Sequence, residues 1–148
     1  MKLSFRRWFF VSIGILAFGF LLIQLIPFGR DHSNPPIVHE PAWDSPRTKE
    51  LVQAACYDCH SNQTKWPWYS NVAPMSWLLY QDVSEARSAF NFNEITPGEG
   101  ADWVGTMVFK IKNASMPPAR YQALHPEARF SAEERREIID GLLLTFPQ

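Results

Sequence analysis

The sequence predicts an all-α fold, with one N-terminal transmembrane helix ahead of a small helical domain. Three observations carry this expectation. An uncharged run over residues 8–28 follows Lys2, Arg6 and Arg7. At about 1.5 Å per residue its 21 positions reach about 31 Å, close to the hydrocarbon thickness of a bilayer. Beyond the run, apolar residues recur at spacings of three and four, and no stretch alternates long enough to read as a strand. Finally, Ser45-Pro46 and Ser131 with Glu134 are helix-start signals.

The elements follow in order. Gln24 is the only strongly polar member of the apolar run, which ends Leu25-Ile26-Pro27-Phe28-Gly29-Arg30. Bulky residues stand where a signal peptidase requires small ones, so residues 1–28 are expected to stay as an uncleaved anchor. Basic residues before the span place the N-terminus in the cytoplasm and the remainder in the periplasm, outside the bacterial inner membrane. Residues 29–45, with Pro35, Pro36 and Pro41, read as a polyproline-like tether that holds the domain off the membrane.

Residues 46–148 are enough for one small domain with a modest core. A first helix opens at Ser45-Pro46 and runs into Cys56. A second covers residues 77–90, with Leu78, Leu79, Val83, Ala86 and Phe90 at helical spacing. A third covers residues 102–112, where Trp103, Met107 and Ile111 form a stripe flanked by Val104 and Val108. The last follows Ser131 and has Ile138, Ile139, Leu142 and Leu143 as its apolar face.

The near-neutral total charge of −1 hides an asymmetry. Residues 1–30 carry four basic groups and no acid, leaving ten basic against fifteen acidic groups beyond. The exported part therefore has a formal charge of about −5, which excludes nucleic-acid binding and favours a partner with a basic docking face.

Both cysteines lie in Cys56-Tyr57-Asp58-Cys59-His60. Two thiols three positions apart, followed by an imidazole, is the spacing of covalent c-type haem attachment. On one helical turn the thiols share a face and His60 aims at the iron from the same side. A thioredoxin-like pair expects a βαβ unit, which is not visible here. A disulfide across so short a loop constrains little chain entropy, and zinc needs a fourth ligand from elsewhere. One covalent haem c, in turn, requires the exported location that the anchor predicts.

His60 fills one axial position, and the other decides the chemistry. Met116, in Ser115-Met116-Pro117-Pro118, stands on a proline-stiffened loop and offers a soft thioether that favours ferrous haem. His125, in Leu124-His125-Pro126, is the alternative distal ligand. Met107 reads as core, Met75 as a weak candidate, and His32 and His39 as solvated tether residues. After the motif come Lys65, Trp66, Pro67, Trp68 and Tyr69, an aromatic plate expected to line the haem, with Lys65 pairing a propionate. Helix, CxxCH, aromatic loop, late methionine and final amphipathic helix is the order of a small cytochrome-c-like domain.

The sequence resembles the haem-binding domain family of bacterial, often membrane-anchored, c-type cytochromes. The matching stretches are residues 56–64, residues 66–70, Ala73-Pro74-Met75-Ser76-Trp77, Asn91-Phe92-Asn93, and Met116-Pro117-Pro118 with Tyr121 and Leu124-His125-Pro126. The resemblance implies covalent haem through Cys56 and Cys59, His60 as proximal ligand and Met116 as the distal candidate. The expected role is a membrane-anchored periplasmic monohaem cytochrome that transfers single electrons to a redox partner protein, a membrane respiratory complex among the candidates. The alternative is a haem sensor or peroxidase-like protein with an open or labile sixth iron position.

Overall fold

In a computed structural model the chain is described over residues 2–147. Met1 and Gln148, the outermost residues of the expected anchor and domain, lie outside the described residues, as does the Lys2 side chain counted before the span. Seven α-helices and two short 3-10 turns follow one another, with no strand among the described residues. The all-α expectation holds. The helices divide over two compact units, Met1–His32 with Trp66–Asp82, and Ser33–Lys65 with Val83–Gln148.

The first unit opens with α1 (Lys2–Ile23). Its stretch Ser4–Ile23 is long and apolar enough to cross a membrane by length and composition. Past its end the Gln24 side chain forms a two-point clamp on Ala73, accepting from its N–H and donating to its carbonyl, both at 2.9 Å. Gly29 has φ of 73°, and a Cβ there would collide with the Ser76 carbonyl oxygen, so glycine is required. A 3-10 turn (Trp68–Asn71) leads into α4 (Met75–Ala89), whose first part belongs to this unit. His32 is a correction to the sequence reading. Its ring stacks on Trp66 at 4.7 Å and donates from Nε2 to the Ser70 carbonyl, so packing rather than solvent surrounds it.

In the second unit α2 (Pro46–Ala55) starts as its sequence dictates: Ser45 Oγ accepts from the Thr48 N–H and Pro46 occupies the first turn. α7 (Ala132–Thr145) has the expected capping box of Ser131 and Glu134. α5 (Pro97–Lys112) begins five residues earlier than periodicity suggests, because Thr96 and Glu99 make a second capping box. The T-x-x-E signal was legible, but Gly98 and Gly100 obscured it.

α7 packs on both α2 and α5. The core joins Leu51, Val52, Tyr57, Phe92, Val104, Met107, Val108, Ile111, Ile138, Ile139, Leu142 and Phe146. Each such side chain contributes about 1.5–3 kcal/mol of burial. Leu143, expected on the buried face, is 43 % exposed, since it lies about a ninth of a turn beyond Ile139, at the edge of the face set by Ile138, Ile139 and Leu142. Gly141 lets α2 approach closely: a Cβ there would overlap the Thr48 side chain.

The proline-rich stretch has no regular structure but is tied down by hydrogen bonds. Asn34 donates to the Thr64 carbonyl, the His39 N–H to the Asn93 carbonyl at 2.8 Å, and Tyr57 Oη to Glu40. The His39 backbone is thus part of the fold.

Candidate functional site

The helix carrying the two cysteines breaks at the first of them. Cys56 closes α2 and opens a single turn, α3 (Tyr57–His60), with φ −124° and ψ −35°. The His60 N–H still reaches the Cys56 carbonyl at 2.8 Å. No disulfide joins the two cysteines.

An apolar cleft of about 280 Å³ opens beside this turn. Its floor is the buried set Phe92, Met107, Ile111 and Leu142; Cys56, His60, Phe90 and Trp103 form half-buried walls; the rim is Ala89, Thr106, Lys110 and Met116, all exposed. α5 supplies one whole side, through Trp103, Thr106, Met107, Lys110 and Ile111. The loop between α5 and α6 (Ala119–Leu124) brings Met116 over it, held by a bond from the Met116 N–H to the Lys110 carbonyl at 3.1 Å.

His60 is oriented from behind. Its Nδ1 lies 3.2 Å from the Phe90 carbonyl, which can only accept, so the proton sits on Nδ1 and the lone pair on Nε2. The Phe90 ring stacks on the imidazole at 4.2 Å. Burial keeps the His60 pKa below its ordinary value despite the Phe90 and Ala86 carbonyls that favour the charged ring. A neutral imidazole with one committed nitrogen is the form that ligates a metal. Cys56 retains some exposure on the cleft side, yet burial, with Cys59 nearby, pushes its thiol up to about 12. Such a group is no activated thiolate, which weighs against thioredoxin-like chemistry.

A buried amide network fixes the backbone around His60. The Asn62 N–H and Gln63 Nε2 both donate to Asn93 Oδ1, and Asn91 Nδ2 donates to Asn62 Oδ1 at 2.7 Å. Asn93 Nδ2 donates to the His39 carbonyl and to Glu40. The Phe92 N–H reaches the His60 carbonyl at 2.8 Å. Sequence reasoning missed this network, although the run Ser-Asn-Gln-Thr after the histidine and the pair of asparagines flanking Phe92 were visible signals.

Of the residues singled out from sequence, Cys56, His60 and Met116 line the cleft together, and Met107 joins its floor. Cys59, Lys65, Trp66, Trp68 and Tyr69 are not among its lining. Lys65 instead borders a separate polar hollow with Asp58 and Tyr121, because its backbone N–H is bonded to Asp58 Oδ1. Trp66 is stacked under His32, and Trp68 is 78 % exposed against the edge of Tyr69. The aromatic lining comes from Phe90 and Trp103 in the walls and Phe92 in the floor. His125 stacks on Tyr121 at 4.0 Å and donates from Nδ1 to its carbonyl, outside the cleft lining. The donor set suits a haem: an apolar slot, an imidazole nitrogen with an available lone pair, a wall thiol and a rim thioether.

Comparison with known proteins agrees. The model of a family described as "Haem-binding domain" matches residues 18–143. Cytochrome c peroxidase Ccp of Escherichia coli (strain K12) is 27 % identical over 95 residues, covering 60 % of this chain and 20 % of that protein. The chain thus aligns with about a fifth of that relative's length. No solved structure matches. The chain belongs to the haem-binding domain family.

Proposed function

We propose that this protein is a membrane-anchored, periplasm-facing monohaem c-type cytochrome that passes single electrons. The observation that carries the reading is the convergence of Cys56, His60 and Met116 on one apolar cleft. A bound haem supplies the one-electron iron chemistry. Cys56 and Cys59 would hold it through thioethers. His60 would ligate its iron through Nε2, with Nδ1 held by the Phe90 carbonyl. Met116, on the rim of the same cleft, would supply the second ligand and favour the ferrous state. Phe90, Phe92 and Trp103 exclude water. α1 anchors the chain in the inner membrane, with Arg6 and Arg7 on the cytoplasmic side. A redox partner, for example a membrane respiratory complex, docks on the acidic exported part.

The test is a pyridine haemochrome with resting spectra of wild type, Met116→Ala and His125→Ala. Covalent haem c, a low-spin ferric spectrum lost in Met116→Ala, and no change in His125→Ala are expected. An unchanged axial spectrum in Met116→Ala overturns the ligand assignment. A peroxidase-like reading has one observation in its favour, the 38 % exposure of Met116, which suits a labile sixth ligand. A high-spin resting spectrum that shifts on adding peroxide would favour that reading over the carrier.

A further inference from the structure

The aromatic segment after Lys65 needs another role, since none of it lines the cleft. It belongs to the first unit with α1, where Trp66 stacks on His32 and the residues that follow it meet the chain leaving α1. The span read over residues 8–28 ends at Phe28, so the chain there reaches headgroup depth. Three contacts bring residues 73–80 to that point: the Gln24 clamp on Ala73, Gly29 against the Ser76 carbonyl, and Phe28 edge-on to Tyr80 at 5.2 Å.

This unit exposes apolar and aromatic side chains: Trp68 is 78 % exposed, Phe28 54 %, Leu78 39 % and Tyr80 37 %, and Leu25 and Ile26 near the end of the span are exposed as well. Trp and Tyr are the residues enriched at this depth, with an apolar ring and a polar tip.

We propose that residues 66–80 form a membrane seat, lying in the phospholipid headgroup layer of the bilayer that α1 crosses. The proposal rests on the reading of α1 as a membrane span. Its occupant is lipid, because Phe28, the last residue of the apolar span, packs on Tyr80. The seat would fix the exit of the chain at a defined depth.

The test uses the full chain in vesicles of phosphatidylethanolamine and phosphatidylglycerol carrying a trace of phosphatidylcholine with a photoactivated diazirine near the headgroup end of its acyl chain. Peptide mass spectrometry should find label both in α1 and in residues 66–80. The double variant Trp68→Asp, Tyr80→Asp should lose label from residues 66–80 while α1 stays labelled. Label in α1 alone overturns the seat and leaves the anchor standing. Label in neither overturns anchor and seat together, and label in residues 66–80 without α1 overturns the shared depth on which the seat depends.

Discussion

Asn93→Ala should destabilise the second unit by about 3 kcal/mol. Asn93 is fully buried and makes four side-chain hydrogen bonds, to the Asn62 N–H, Gln63 Nε2, the His39 carbonyl and Glu40 Oε2, all between 3.0 and 3.1 Å. Truncation strands the buried Asn62 N–H, at about 1–3 kcal/mol. Loss of the charge-assisted bond to Glu40 adds about 1 kcal/mol, softened by the Lys49 ion pair that Glu40 keeps. Gln63 and His39 are half-buried and can turn to water, so their bonds count for little. A domain of this size has about 5–15 kcal/mol in all, so the loss is a large share. Guanidinium unfolding followed by circular dichroism measures it. Asn93→Asp keeps the acceptor but sets a carboxylate beside Glu40. It should cost at least as much at pH 7 and less near pH 4, where protonation relieves the repulsion. A loss below about 1 kcal/mol for Asn93→Ala would refute the reasoning, because it would mean the network does not hold the His60 segment.

Three further outcomes are expected. Burial tends to raise the Glu40 carboxyl, but hydrogen bonds from Lys49, Tyr57 and Trp43 outweigh it and hold the group below its ordinary value of 4.5. The stability it contributes is therefore complete above that value and lost as pH falls through the lower folded value. Acid titration of stability should be steeper in wild type than in Glu40→Gln. Gly141→Ala drives a Cβ into Thr48 and should cost about 1–3 kcal/mol, partly recovered by adding Thr48→Ala, as read from thermal melting. Trp103→Ala should alter the haem absorption spectrum and Trp68→Ser should leave it unchanged, since only Trp103 lines the cleft; the reverse pattern would restore the aromatic plate as the haem wall.

Local signals in this chain were legible wherever they act within one turn. The Ser45-Pro46 start, the Ser131–Glu134 box and the stripe Val104, Met107, Val108, Ile111 all hold, because capping and helical periodicity depend on neighbours three or four residues away. Thr96–Glu99 obeys the same rule and was overlooked only for its glycines. What failed was inference about the far side of a loop. Three aromatics soon after His60 looked like a haem wall by proximity in sequence, yet the chain carries them into the first unit, where Trp66 stacks on His32.

The sequence by itself determined the material: an apolar span, an all-α remainder, two cysteines and a histidine at haem spacing, and a methionine on a stiff loop. Each of these is a property of composition or of short spacing. Only the tertiary structure decided which of them meet. It set Met116 on the rim of the cleft that holds Cys56 and His60, put Phe90 behind the imidazole, and replaced Trp66, Trp68 and Tyr69 with Phe90, Phe92 and Trp103 as the aromatic lining. The physical reason is that a cleft is made by the packing of α5 against residues some fifty positions away, and no local preference records which distant surfaces will close on one another.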